Sequence, residues 1–211
     1  EPGSYTEKPG TATCSLAKAG HYVKDSDRTK EIPCEKGYYS PGPGASSCFA
    51  CPAGTFSEAA GAPFCTFAKP GWFVGAVGQS KETECPVGKY AIDEASSRCT
   101  SAAAGSYVDA PGATKPTLCP PGRFAASSEA SACQSCPKGY YAAIEGTAVC
   151  SLAEAGYRAV SPGRRLREGE MRISAGATAQ LPCPKGTFSL SGSSECTPCS
   201  AGKYAASERA V

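Results

Sequence analysis

The residues of this 211-residue chain most able to do covalent chemistry are its 14 cysteines. Three C-x-x-C pairs stand out: Cys48–Cys51, Cys133–Cys136 and Cys196–Cys199. Two thiols so spaced can hold zinc or exchange with a disulfide. A plainer reading covers all three, because each pair is the end of one sequence repeat meeting the start of the next. The single histidine, His21, is adjacent to no cysteine and leaves little for acid–base or nucleophilic catalysis. Asp25, Asp27 and Glu31 lack the dense loop spacing of a calcium site. The expectation is therefore no catalytic residues, no metal and no cofactor, and a protein that is not an enzyme.

The element that must position these cysteines is a 17-residue repeat, seen most clearly in Cys51-Pro-Ala-Gly-Thr-Phe-Ser-Glu-Ala-Ala-Gly-Ala-Pro-Phe-Cys65. With Cys51 as position 0, glycine falls at +3, an aromatic at +5 and the second cysteine at +14. Glycine recurs as Gly3, Gly20, Gly37, Gly54, Gly71, Gly88, Gly105, Gly122, Gly139 and Gly156, then as Gly186 and Gly202. The aromatic column runs from Tyr5 through Phe56 and Tyr141 to Tyr204, broken only at Arg158. Self-similarity at a fixed period is the signature of a tandem array.

Cysteines are lost from the repeats in pairs. Repeats starting at 34, 51, 85, 119, 136 and 183 keep both, whereas those at 17, 68, 102 and 153 keep neither. Position 0 is then Ala17, Ala68, Ala102 or Ala153, and +14 is Glu31, Glu82, Pro116 or Gln180. Pairing across the three-residue step between repeats would have removed Cys14 with Ala17 and Cys34 with Glu31, and both remain. Pairing within each repeat follows: Cys34 with Cys48, Cys51 with Cys65, Cys85 with Cys99, Cys119 with Cys133, Cys136 with Cys150, and Cys183 with Cys196. Cys14 and Cys199 then look for partners outside this window. At +6 the cysteine-bearing repeats have only alanine or serine, whereas three of the others have Val23, Val74 and Val108. Valine there reads as one packing device replacing another.

Glycine at +3 calls for positive φ or close approach, and the residues after it read as a short strand. A second turn follows near +10, at Gly10, Gly44, Gly61, Gly78, Gly112 and Gly146. Prolines around both turns discourage helix. The fold expected is small, disulfide-rich and mainly β and turn. It is an elongated tandem array of 17-residue repeats, each a cystine-closed loop, with almost no helix. If length comes from the extended three-residue step, each repeat advances by at most about 10 Å. Residues 1–160 form the regular array, 161–179 a basic insertion loop, and 180–211 two further repeats, the last truncated. An insertion in a repeat array maps to one face, so Arg164, Arg165, Arg167 and Arg172 are candidates for a contact loop.

Gly 24, Pro 18, Met 1 and Trp 1 leave little for a thick apolar core. Stapling by disulfides takes its place and implies an oxidising compartment, extracellular or at the cell surface. A formal charge of +2 suggests neither nucleic acid nor anionic membrane as partner. No run approaches the roughly 20 apolar residues of a membrane span. Asparagine is absent, which excludes N-linked sugar in this window and leaves O-linked glycans open. The repeats begin and end out of phase with the chain, as in a segment of a longer array.

The motif C-P-x-G-x-[YF]-S, at Cys51, at Cys183 and less completely at Cys136, resembles the ephrin-receptor-like cysteine-rich repeats related to tumour-necrosis-factor-receptor modules. The resemblance covers essentially the whole chain and implies an extracellular module. Regular period and absent chemistry favour an extracellular structural protein, a rod-like segment of a surface or filament assembly such as a flagellar hair, sheath or wall fibre. Self-association with other copies follows from that reading. The alternative is a ligand-binding or adhesive receptor ectodomain.

Overall fold

The computed structural model describes residues 1–8, 10, 13–161 and 175–205. Each repeat opens on a turn whose +4 amide donates to the +1 carbonyl. In the repeat at 51 the Thr55 amide reaches the Pro52 oxygen at 3.0 Å, with Gly54 at φ 87°. Positive φ at the third residue is the mark of a type II turn. The Thr55 hydroxyl donates to the same carbonyl at 2.8 Å, and Ser106 and Thr187 do the equivalent in their own repeats.

A two-residue strand leaves the turn and pairs antiparallel with the residues just after +14. Thr55–Phe56 pairs with Thr66–Phe67 in the register Thr55↔Phe67 and Phe56↔Thr66. The same unit recurs as Tyr38–Tyr39 with Phe49–Ala50, Ser106–Tyr107 with Thr117–Leu118, and Tyr140–Tyr141 with Ser151–Leu152. Two hairpins are longer: His21–Lys24 with Asp27–Pro33, and Tyr157–Val160 with Ala179–Pro182. Among the described residues there is no helix. A two-by-two hairpin cannot hold itself together in water. Its stability has to come from its neighbours.

That support is a backbone ladder from each repeat to the next. The position 0 amide donates to the +3 carbonyl of the repeat before, as Ala68 does to Gly54 at 2.9 Å. The +3 amide donates to the +6 carbonyl of the repeat after, Gly54 to Val74 at 2.8 Å. The +6 amide reaches the following +11 carbonyl, Val74 to Ser96 at 3.0 Å, and the +10 amide reaches back to position 0, Gly78 to Cys51 at 2.8 Å. These bonds satisfy the irregular backbone that a loop-rich fold would otherwise bury unpaired.

The chain divides into two compact units. One is Glu1–Thr100 with Pro111–Lys115; the other is Ser101–Ala110 with Pro116–Val211. The five residues 111–115 join the first because the ladder binds a return segment to the layer before it. Gly112 donates to Cys85 at 2.8 Å and Ala113 accepts from Ala91 at 3.1 Å.

The core is thin and made of small side chains. Position 0 is buried whether it is cysteine or alanine, in Cys34, Cys51, Cys85, Cys119, Cys136 and Cys183 and in Ala17, Ala68, Ala102 and Ala153. Position +6 lies beside it: Cys136, Ala142 and Cys150, at 0, +6 and +14 of one repeat, form a cluster against which Phe124 packs. Val23, Val74 and Val108 are buried at the same +6 position in repeats without cysteine. Their γ-methyls thus lie in the layer where a cystine would contribute its sulfurs.

The +3 glycine meets a second constraint. A Cβ on Gly20 would lie 2.0 Å from the Gly61 carbonyl oxygen, and one on Gly71 2.1 Å from that of Gly112. In the second unit Gly105 faces Gly146 and Gly139 faces Gly192 in the same way, at 2.1 and 2.0 Å. Each partner belongs to the repeat two places on. The +10 turn of one repeat, carried back onto the repeat before it, thus lies against the +3 turn two repeats back.

The repeat at 153 shows how the array tolerates extra chain. Its described residues, 153–161 and 175–182, together complete one repeat. Gly176 has φ 89° and its amide donates to Cys136 at 2.8 Å, the role of a +10 glycine, while Ala177 accepts from Ala142 at 2.9 Å. Arg164, Arg165, Arg167 and Arg172 lie outside the described residues.

Candidate functional site

The chemistry-bearing residues are those that close each loop. Six disulfides form, Cys34–Cys48, Cys51–Cys65, Cys85–Cys99, Cys119–Cys133, Cys136–Cys150 and Cys183–Cys196, with Cα atoms 5.7 or 5.8 Å apart. Each C-x-x-C pair is divided between two of these bonds or, for Cys196 and Cys199, between a bond and a thiol. Cys14 and Cys199 are free; Cys14 is exposed.

Three of the four repeats without cysteine close the same loop by a different contact. In the repeat at 17, Glu31 at +14 accepts the Lys18 amide at 2.9 Å through one carboxylate oxygen and binds the Lys18 ammonium at 2.9 Å through the other. In the repeat at 68, Glu82 does the same to Lys69, at 2.9 and 2.8 Å. In the repeat at 153 the Gln180 carbonyl accepts the Glu154 amide at 2.8 Å. The bond always runs from the +14 side chain to the +1 backbone. Four cysteine-bearing repeats make it impossible at +1, where Pro52, Pro86, Pro120 and Pro184 have no N–H, and Pro137 does so in a fifth. The repeat at 102 has Pro116 at +14, which has no acceptor side chain.

These carboxylate clasps were not foreseen from sequence. The signal lay in Lys18 with Glu31 and Lys69 with Glu82, each thirteen residues apart. It becomes legible once a cystine fixes 0 beside +14. The same clasp accounts for one of the three acidic residues first weighed as calcium ligands. Of the others, Asp25 pairs with Arg28 at 3.1 Å and Asp27 accepts from Thr29. His21 lies against Gly61.

Residues 20–64 match the family described as tyrosine-protein kinase ephrin type A/B receptor-like. The matched repeats are ephrin-receptor-like. The matched stretch covers most of the cysteine-free repeat at 17, the whole repeat at 34 and most of that at 51, so it holds the Cys34–Cys48 closure and Glu31 but not Lys18. A search of curated proteins finds no match to the chain. Disulfide-closed units of this kind make an extracellular type of cysteine-rich module. Among the described residues no helix is long and apolar enough to cross a membrane.

The clasp gives the repeat at 17 a pH dependence that a cystine lacks. Hydrogen bonds from the Lys18 side chain and amide hold the Glu31 carboxyl below its ordinary 4.5, and the bond to Glu31 holds Lys18 above its ordinary 10.5. A carboxyl depressed on folding stabilises above its unfolded pKa, and that stability is lost as pH falls through the folded value. A raised ammonium loses its contribution only as pH rises through its own folded value, above 10.5. Near neutrality both are present in full. Acidification below 4.5 is therefore expected to lower the hydrogen-exchange protection factor of the Lys18 amide while that of Cys51 stays constant. Equal loss at both amides would refute a local clasp.

Proposed function

We propose that the chain is a non-enzymatic structural segment of an extracellular assembly, of the surface-filament, sheath or wall-fibre type, built from many copies of this repeat. The observation that carries this reading is where the specific geometry goes. Turn glycines, buried position 0, loop closures and ladder amides all serve the contact of one repeat with the next. Repeat arrays extend by adding such contacts, and an uncapped array associates through them. Exposed apolar side chains support the same view: Phe49, Phe64 and Phe67 in the first unit and Leu118, Val149 and Leu152 in the second. Surface of this kind is what an assembly covers.

The match to an ephrin-receptor-like model favours a second reading, a receptor or adhesive ectodomain acting as single molecules. Negative-stain electron microscopy of the native material separates the two. Filaments or sheets labelled along their length by an antibody to this segment are the expected result. Isolated particles at all concentrations, with no labelled fibres, would replace the structural reading with the receptor one.

A further inference from the structure

Two lysines in this array occupy the same seat. At the start of the repeat at 68, the Lys69 ammonium stands 4.1 Å from the centre of the Trp72 ring and 2.8 Å from Glu82. The positions involved are +1, +4 and +14. At the start of the repeat at 17, Lys18 takes the same +1 place against the +14 carboxylate of Glu31, at 2.9 Å. The ammonium–carboxylate pair thus recurs at both lysines, and at Lys69 an aromatic face completes it, the pairing that binds organic cations.

The repeat at 34 has the walls of this seat without a lysine at +1. A groove of about 230 Å³ opens there, lined by Tyr22, Glu35, Tyr38, Ser47 and Cys48. In repeat coordinates these are +5 of the preceding unit and +1, +4, +13 and +14 of its own. Two of them, +4 and +14, are the positions that hold Lys69, and +1 is the position of Lys69 itself. Cys48 is bonded to Cys34 and brings no charge. The carboxylate has moved to +1, where Glu35 replaces the lysine, and tyrosine supplies a ring at both +5 and +4. Glu35 and Tyr38 are exposed, and Tyr22 is half-buried.

We infer that this groove binds a primary ammonium group, the side chain of a lysine presented by a partner protein. The filled seats specify the chemistry. An ammonium held by a carboxylate oxygen at hydrogen-bond distance uses its N–H donors, which a quaternary ammonium lacks. Two rings and one carboxylate in a shallow open groove give a weak site, with a dissociation constant on the order of millimolar for an isolated lysine group.

The test is an NMR titration of the intact chain with Nα-acetyl-lysine amide, following the Tyr22 and Tyr38 ring signals. Saturable shifts are expected, absent with the Nε-acetylated analogue and weaker with tetramethylammonium. Glu35→Gln and Tyr38→Ala should each weaken binding by about fivefold or more. Unchanged amide spectra outside the repeat at 34 show that each variant remains folded. No saturable shift, equal shifts with the acetylated analogue, tighter binding of tetramethylammonium, or unchanged affinity in Glu35→Gln would each overturn the assignment.

Discussion

Gly54→Ala is expected to unfold the layers around the repeat at 51, whereas Gly44→Ala should leave the array folded with a modestly lower melting temperature. Both glycines have positive φ, 87° and 79°. Both substitutions therefore incur the left-handed penalty of an L-residue, about 1–2 kcal/mol. The difference is what the new methyl meets. On Gly44 its nearest neighbour is a Leu16 side-chain methyl at 3.4 Å, which can move. On Gly54 it would lie 2.1 Å from the Ala95 carbonyl oxygen, part of the backbone two repeats away. Relief requires the layers to separate, and the bonds Gly54 to Val74 and Ala68 to Gly54 then go with them. With about 1 kcal/mol net for each bond on top of the backbone strain, the total reaches roughly 3–4 kcal/mol before any lost packing. That is a large part of the marginal stability of an ordinary domain. The array itself supplies a control, because the +10 column already holds Ala95 at φ 56° and Glu129 at φ 63°. Thermal melts followed by circular dichroism, with limited proteolysis to locate the opening, decide the matter. Equal shifts for the two variants would mean that close approach at +3 contributes nothing.

This difference between two glycine columns also marks how far the sequence could be read. The period, the aromatic at +5 and the turn at +3 are local, and a single repeat displays them. The partner of Gly54 is 41 residues away, and nothing in a perfect period says which layer lies against which. Positive φ or close approach at +3 was therefore legible, and the backbone that does the approaching was not. The same holds for Gly176, whose place in the ladder is hidden in the sequence by the extra residues before it. It emerges only when its amide is found on Cys136. Valine at +6 was legible because it covaries with cysteine within the chain, and its burial follows from that. The Glu31 and Glu82 clasps were written in the same columns, but a carboxylate near a lysine in a loop usually signifies an exposed pair of little consequence. What raises these two is the backbone amide at +1, a group that no alignment of side chains displays.

The clasp and the cystine should accordingly be interchangeable, within limits set by one proline. Replacing both Cys51 and Cys65 by alanine opens a loop whose closure is worth about 3 kcal/mol in the chain-entropy model. The quadruple variant Cys51→Ala, Pro52→Lys, Ser57→Val and Cys65→Glu rebuilds the repeat in the style of that at 68. Valine at the buried +6 position adds two methyl groups at about 0.8 kcal/mol each, and the bond from the new +1 amide to glutamate adds roughly 1 kcal/mol. The gain nearly offsets the loss, so the variant should melt close to the parent under oxidising conditions and lose less on treatment with reductant. Lysine at +1 keeps the turn, since the Lys69 carbonyl accepts from Trp72 at 3.0 Å as Pro52 does from Thr55. Retaining Pro52 in the otherwise identical triple variant removes both groups the glutamate would bind, the +1 amide and the lysine ammonium. That protein should recover the valine contribution alone and melt below the quadruple variant. If the two melt together, neither the amide bond nor the ion pair of the clasp adds stability and the valine does all the compensation. If neither exceeds the double alanine variant, the two closures are not equivalent, and the cysteine-free repeats depend on neighbours rather than on their own side chains.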